Sequence, residues 1–340
     1  MSVPFLSAAR WPIVGHEWAV SWLQQSLLAD RFPHALLITG PAQVGKRTLA
    51  LATAAALNCQ GEPKPCGRCR SCRKVAHGTH PDVRLVQAEA GKSGREGILK
   101  IDQVRELQRE AALAPMEGRY KVFILRELER ANLPAANALL KTLEEPPASV
   151  VLLLTSVRPH ALLPTVVSRC QVLALRPLPI AQVAEALRTR WGGEAEQAEL
   201  LARLSGGRLG WAVERLTDGR AWEERAQRLQ DLARLLEEGR AARLAYAEAL
   251  SRSPDAVVPT LSLWTSWCRD VLLVQQGLQA HISNIDLAPA LAHQASRLPP
   301  QQVVDFLRRL QAAAAQLNQN ANVRLLLETL ALRLPRPAQG

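Results

Sequence analysis

Residues 34–57 read HALLITGPAQVGKRTLALATAAAL, an apolar run followed by a glycine-containing loop and an alanine-rich run. The apolar run predicts a buried β-strand, and the spacing of leucine and alanine in the second run predicts a helix. Between them, Gly40, Gly45 and Lys46 follow the G-x4-G-K pattern of a phosphate-binding loop. Glycines let backbone N–H groups converge on phosphate oxygens, and the helix N-terminus adds a partial positive charge. This stretch therefore predicts a nucleotide-type site in an α/β domain.

Further apolar runs follow within the first 180 residues and alternate with helical patterns. The runs cover Val83–Val86, Tyr120–Leu125, Val150–Thr155 and Val172–Leu175, and the helical patterns cover Gln103–Leu113 and Ala131–Leu143. Strands that are separated by helices are typical of a parallel sheet with helices on both faces. We therefore expect a parallel sheet in this part of the chain.

The strand signal disappears after Pro177 and Pro179, and helical spacing continues to the end of the chain. We expect a chain of the α/β plus all-α class with three domains. A nucleotide-type domain would cover residues 1–178, a small helical lid domain 179–218, and a C-terminal helical domain 219–340.

The composition is that of a packed globular protein, with 340 residues of which 48% are hydrophobic and 21% charged. No apolar run approaches the roughly 20 residues that cross a bilayer, and the first residues do not read as a signal peptide. We expect a cytoplasmic protein without a membrane partner.

The net charge is +11, and most of the surplus lies in the first part of the chain. Residues 1–180 contain 23 basic and 14 acidic residues, and residues 181–340 contain 19 and 17. Such a surplus favours polyanionic partners such as nucleic acid or nucleotide phosphates. A mildly basic solvated surface accounts for the charge equally well.

Four of the six cysteines, Cys59, Cys66, Cys69 and Cys72, lie within fourteen residues. C-x2-C spacing in a chain without a signal peptide indicates metal binding rather than a disulfide. Four thiolates suit a closed tetrahedral zinc site, which would be structural because no coordination position remains for water. Iron–sulfur ligation is the competing interpretation. His77 and His80 follow nearby, and we interpret them as ordinary loop histidines.

The phosphate loop departs from the pattern of an ATPase at both positions that organise magnesium. A Ser or Thr should follow the lysine, but Arg47 stands there and Thr48 comes one position late. After the apolar run 120–125, Arg126 occupies the place of the magnesium-holding aspartate, and Glu127 that of the residue that activates water. Because arginine cannot ligate a cation, we expect no bound magnesium and no intrinsic ATPase activity. Binding of ATP or ADP through Lys46 and the loop amides is left open.

Three further stretches give the sequence a family resemblance. They are Arg31-Phe-Pro-His34, the run NALLKTLEEPP at residues 137–147, and Ser168-Arg169-Cys170. Together with the phosphate loop they resemble the clamp-loader subunits of the AAA+ class, and within them the delta-prime subunits of bacterial DNA polymerase III. The resemblance covers residues 13–215 and continues more loosely to the end.

This resemblance implies roles for three residues whose types alone would not reveal them. It implies that Arg169 is an arginine finger that reaches the nucleotide of a neighbouring subunit. Thr155 matches the polar sensor at the end of the fourth core strand, and Arg208 matches the sensor arginine of the lid domain. The resemblance also implies zinc, rather than an iron–sulfur cluster, for the four cysteines, and a collar role for the C-terminal domain.

The function that the resemblance implies is that of a stator subunit. Such a chain would join a hetero-oligomer with the clamp-loader ATPase subunits and the delta subunit. This complex would load the sliding clamp onto primed DNA during replication. One alternative is an active ATPase motor subunit, gamma/tau-like, in which Thr48 replaces the missing magnesium ligand; Arg126 argues against it. A second alternative is a nucleic-acid-binding module in which the zinc loop contacts DNA.

Overall fold

A computed structural model of the chain describes residues 11–88, 97–317 and 321–336. The chain divides into two compact units. The first comprises Met1–Gln182 with Gly207–Trp211, and the second comprises Val183–Gly206 with Ala212–Gly340. The three domain boundaries expected from the sequence stay predictions.

The first unit is built on a five-stranded sheet in the order β2-β3-β4-β1-β5. All neighbouring strands pair in parallel. The strands are β1 Ala35–Thr39, β2 Val83–Val86, β3 Lys121–Leu125, β4 Val150–Ser156 and β5 Gln171–Ala174. Every residue of β1, β3 and β4 is buried, as in a sheet that is covered on both faces. The predicted parallel sheet is confirmed.

Six helices accompany this sheet: α1 Glu17–Leu28, α2 Lys46–Leu57, α3 Arg70–Ala76, α4 Ile101–Ala111, α5 Leu133–Glu144 and α6 Pro164–Val167. Side chains alternate between the two faces along each strand. On one face Leu36 and Ile38 pack in a core with Leu49 of α2. On the other face Leu37 packs in a second core with Leu107 of α4 and Leu139 of α5. The continuous apolar strands therefore supply two cores at once.

The described part of the second unit is helical. Its helices are α8 Ala195–Ser205, α10 Gly219–Glu237, α11 Arg240–Ser251, α12 Pro254–Gln275, α13 Ala288–Arg297, α14 Pro300–Leu317 and α15 Val323–Leu332. Two further helices, α7 Ile180–Trp191 and α9 Leu209–Leu216, have residues in both units. Trp264 of α12 is buried in its core, with Tyr246 and Phe306 each 6.1 Å away between ring centroids. The predicted α/β plus all-α class is confirmed.

Among the described residues, no helix combines the length and the apolar composition that a bilayer span requires.

Candidate nucleotide-type site and metal centre

The phosphate loop joins the carboxyl end of β1 to the start of α2. Gly40 and Gly45 have left-handed φ angles of 139° and 109°. At Gly40 a Cβ atom would lie 2.4 Å from the carbonyl oxygen of Leu175, so that only glycine fits there. The two glycines that the motif singles out thus shape the loop.

Lys46, the first residue of α2, is bonded to the loop itself. Its Nζ donates hydrogen bonds to the carbonyl oxygens of Gly40 at 2.6 Å and Pro41 at 2.5 Å. Burial lowers the pKa of Lys46 to about 8, although Glu129 and Glu127 nearby favour the charged form. A phosphate that reached this loop would compete with the two carbonyls for the same ammonium protons.

Two guanidinium groups occupy the positions where magnesium ligands were expected. Partial burial lowers the pKa of Arg47, and the positive charge of Arg126 lowers it further. The two guanidinium groups therefore lie close enough to repel each other. Arg126 donates to Oε1 of Gln87 at 3.1 Å. Thr48 lies half-buried in the first turn of α2. Arginine donates only, so these groups can bind phosphate oxygens and cannot ligate a cation.

Glu127 and Thr155 meet where β3 and β4 end. The backbone N–H of Glu127 donates to Oγ1 of Thr155 at 3.1 Å, and Glu127 adopts a left-handed φ of 51°. Nε of Arg130 lies 2.6 Å from Oε2 of Glu127. The structure therefore brings these two predicted residues to the same edge of the sheet as the phosphate loop.

Sequence reasoning missed two residues at this edge. Glu129 accepts the backbone N–H of Val157 at 3.1 Å, and its other oxygen is buried with no hydrogen-bond partner among the described residues. His16 is buried before α1, and its burial lowers its pKa, although a hydrogen bond to the backbone of Val44 in the phosphate loop favours the charged form. No local sequence pattern points to either residue, because both act through contacts with distant segments.

Arg208 lies in a segment of the first unit that contacts the phosphate loop. The backbone N–H of Gly210 donates to the carbonyl oxygen of Gln43 at 2.9 Å. The guanidinium of Arg208 lies 5.7 Å from the centroid of the Trp211 ring. Arg208, the sensor arginine that the resemblance implies, is thus two residues before Gly210, which contacts the loop directly.

Arg169 lies near the amino ends of the strands, whereas the phosphate loop lies at their carboxyl ends. It precedes β5 by two residues, and Gln171 of β5 pairs with Leu36 near the start of β1, whereas the phosphate loop follows the end of β1. At roughly 3.3 Å per residue, the four residues from Leu36 to Gly40 place the start of β5 about 13 Å from this chain's own loop along the strand direction, and Arg169 lies in the turn before β5. The Arg169 side chain forms an ion pair with Oε1 of Glu144 at 2.7 Å and donates to the carbonyl of Thr165 at 3.0 Å.

The four clustered cysteines lie close enough together to hold one metal ion. Their Sγ atoms all lie within 4.8 Å of one another, and four ligands at the usual Zn–S distance of about 2.3 Å would be separated by about 3.8 Å. Backbone N–H groups donate to the sulfur atoms, for example from Cys66 to Cys59 at 3.2 Å and from Cys72 to Cys69 at 3.4 Å. Such bonds stabilise thiolates, so the cysteines fit a metal ion such as zinc.

The two nearby histidines lie outside this cluster. The exposed His77 has Nδ1 2.7 Å from the carbonyl oxygen of Arg73 in its own helix. His80 is buried, and its Nδ1 accepts the backbone N–H of Asp82 at 3.1 Å. The carboxylate of Asp82 in turn accepts backbone N–H groups of the loop at 116–118. His80 therefore belongs to a packed turn of the protein.

Three features together define a P-loop protein of the AAA+ class. They are the strand order, the loop after β1 and the polar residues where β3 and β4 end. The family model for "DNA polymerase III, delta subunit" matches residues 15–179. The model for "DNA polymerase III, delta subunit, C terminal" matches residues 219–335. The chain is also 36% identical over 247 residues to DNA polymerase III subunit delta′ of Pseudomonas aeruginosa, a match that covers 71% of this chain and 72% of the relative. The chain belongs to the family of DNA polymerase III delta′ subunits.

The match to a relative named tau is partial. The tau subunit of DNA polymerase III from Bacillus subtilis is 33% identical over 161 residues, which cover 47% of this chain and 27% of the relative. A solved gamma subunit-related protein of Thermotoga maritima is 20% identical over 91% of this chain and 97% of its own, with a TM-score of 0.43. The delta-prime prediction is confirmed over its gamma/tau-like alternative.

Proposed function

We propose that this chain is the stator of a clamp loader and donates Arg169 to the nucleotide of a neighbouring ATPase subunit. It would join these subunits and a delta subunit in a hetero-oligomer that helps to load the sliding clamp onto primed DNA. The observation that supports this proposal most directly is the position of Arg169, at the sheet edge opposite its own phosphate loop.

An arginine in this position is suited to act in trans. About 13 Å of strand lies between the start of β5 and the loop, which is more than an arginine side chain spans. Its guanidinium is partly exposed and is held by Glu144 and Thr165, so it is ordered in the free chain. A guanidinium at the terminal phosphate of a neighbour would stabilise the negative charge that develops during hydrolysis.

The chain's own loop is suited to an inactive role. Arg47 and Arg126 stand where hydrolysis needs magnesium ligands, and neither can supply an oxygen to the ion. We therefore expect no ATPase activity from this subunit by itself. Lys46 and the loop amides leave binding of ATP or ADP open.

We further propose that the four cysteines hold a structural zinc ion. Three of them are buried, and four thiolates leave no coordination position for a substrate or water. Cys59 follows the end of α2, and Cys72 lies in α3, so the ion would tie a short insertion to the sheet domain. Such a segment is too small to be stabilised by a core of its own.

The test is ATP hydrolysis by the full chain alone and in a mixture with candidate ATPase subunits, delta, clamp and primed DNA. We expect no turnover by the chain alone, turnover in the mixture, and a loss of about 100-fold or more with Arg169→Ala. Arg176→Ala is the matched control, because Arg176 is an exposed arginine beyond the other end of β5. Magnesium-dependent turnover by the chain alone would establish the motor interpretation. Equal rates for Arg169→Ala and the control would disprove the finger.

A further inference from the structure

The segment 59–76, which contains the four cysteines and α3, exposes a strongly basic face. It holds five basic residues and one acidic residue. Ser71, Cys72 and Val75 are the buried residues of α3. Arg70 and Arg73 are exposed, and their spacing of three places them on one side of the helix. We call the exposed guanidinium groups of Arg68, Arg70 and Arg73 the basic face.

The carboxylates near this segment are already used by its two lysines. Lys64 lies 3.7 Å from Glu62, and Lys74 bonds to Glu117 at 2.7 Å. Within residues 11–88, 97–317 and 321–336, none of the three arginines of the basic face forms an ion pair with a carboxylate.

Several other arginines of the same unit are paired. Arg84 pairs with Glu106, Arg119 with Asp30, and Arg169 with Glu144. In the basic face, two like charges at spacing i, i+3 repel each other, and the nearby acid Glu117 interacts with Arg70 but is bonded to Lys74. A polyanion would remove this repulsion.

We propose that the basic face binds the phosphate backbone of DNA. Guanidinium groups match phosphate oxygens in geometry, and contacts to phosphates position a protein on DNA without reading its sequence. The cysteine cluster holds α3 at a fixed place, so little ordering is needed on binding. The choice of DNA over another polyanion rests on the proposed function, because a clamp loader acts on primed DNA. The contact adds to affinity and leaves the hydrolysis step to other residues.

The experiment uses the full zinc-loaded chain assembled with its partner subunits and a fluorescent primed DNA. Binding is followed by anisotropy while the salt concentration is raised from about 50 to 200 mM. Each phosphate contact contributes about 0.9 to the slope of log K against log salt. The triple substitution Arg68→Ala, Arg70→Ala, Arg73→Ala should therefore weaken binding at low salt and reduce that slope by about two to three.

The matched control removes three charges from exposed arginines of the second unit, with Arg240→Ala, Arg309→Ala and Arg333→Ala. It should leave the slope nearly unchanged. Equal slopes for the basic-face variant and the wild type would overturn the proposal. An equal reduction by both triple variants would also overturn it, because the effect would then come from net charge alone.

Two further readouts keep the result unambiguous. Zinc content and the thermal midpoint show whether the triple variant folds. If it does not fold, the single charge reversal Arg73→Glu tests the proposal instead. Weaker DNA binding by Arg73→Glu is expected, and unchanged binding would overturn the proposal. Loss of subunit assembly with unchanged DNA binding would identify an acidic protein surface as the partner and would also overturn it. Arg169→Ala should keep the full salt slope, so a failure of the finger proposal is seen separately.

Discussion

At the residue scale, the guanidinium of Arg169 is held by its own chain although its proposed target lies on a neighbour. Glu144 at the end of α5 supplies the charge partner at 2.7 Å. The two side chains are 36% and 49% exposed, so the ion pair contributes at most about 1 kcal/mol to stability. Its value would lie in the orientation of the guanidinium, since misplacement of a catalytic group by 1 Å can cost about 100-fold in rate.

Glu144→Gln should separate orientation from stability. Glutamine has nearly the same size and lacks the charge, so we expect the ATPase rate of the assembled complex to fall about three- to tenfold, less than with Arg169→Ala. The thermal midpoint of the chain should change little. Glu145→Gln is the control, because Glu145 is exposed beside it. A rate equal to that of the wild type would show that Glu144 does not orient the finger.

Lys46 offers a second test at this scale, through pH. Its pKa of about 8 means that it is mostly neutral above pH 8 in the free chain, because burial disfavours the ammonium. Bound phosphate requires the ammonium, so any affinity for ADP should decrease as the pH rises above about 8. NMR titration of the lysine ε-resonances should show one group near pH 8 that is absent from Lys46→Arg. If every lysine titrates above pH 10, the prediction that burial lowers the pKa of Lys46 is wrong.

At the element scale, the sheet and the insertion between α2 and β2 depend on different forces. The strands are stabilised by burial on two faces, whereas the insertion has the cysteine cluster at its centre. Removing one ligand should therefore affect the insertion first.

Cys69→Ser should abolish binding of one zinc equivalent and lower the thermal midpoint of the first unit by several degrees. Cys69 is the partly exposed member of the cluster, so the substitution itself disturbs packing little. Cys170→Ser, a half-buried cysteine outside the cluster, should keep the metal. Metal analysis and calorimetry measure both effects. Full zinc retention by Cys69→Ser, or an iron–sulfur absorption band in the wild type, would contradict the prediction.

At the scale of the whole molecule, the two units have separate cores. In the second unit, the buried Arg243 joins distant parts of the chain. It donates to the carbonyl oxygens of Leu235 at 2.9 Å, Leu334 at 3.1 Å and Leu236 at 3.3 Å. Burial lowers its pKa, and Arg336 nearby lowers it further. The guanidinium thus links the end of α10 to the segment after α15.

Arg243→Met should destabilise the second unit by about 3 kcal/mol, because three buried carbonyl groups lose their donor. In the double variant with Cys69→Ser, the loss of unfolding free energy should equal the sum of the two single losses within about 0.5 kcal/mol. The two changes affect different cores, so their effects should be independent. Calorimetry of the single and double variants measures this. A coupling clearly above 1 kcal/mol would mean that the two sites interact energetically, and would contradict the separation of their cores.

Much of the fold could be predicted because its signals are local. The continuous apolar runs specify buried parallel strands, and Gly40 and Gly45 specify a loop whose positive φ angles glycine adopts without strain. The same holds for the four cysteines, whose spacing within fourteen residues already implies their proximity. These features depend on neighbours along the chain, so the sequence is sufficient to find them.

The sequence by itself thus determined the strands and helices, the phosphate loop, the arginines Arg47 and Arg126 at the magnesium positions, and the cysteine cluster. Only the tertiary structure decided that Glu127 and Thr155 meet at one edge of the sheet while Arg169 lies at the other. It also decided the contacts of Glu129 and Arg243, whose partners lie 28 and up to 91 positions away. The physical reason is that strand order and chain crossings set which distant residues meet, and no local pattern encodes that order.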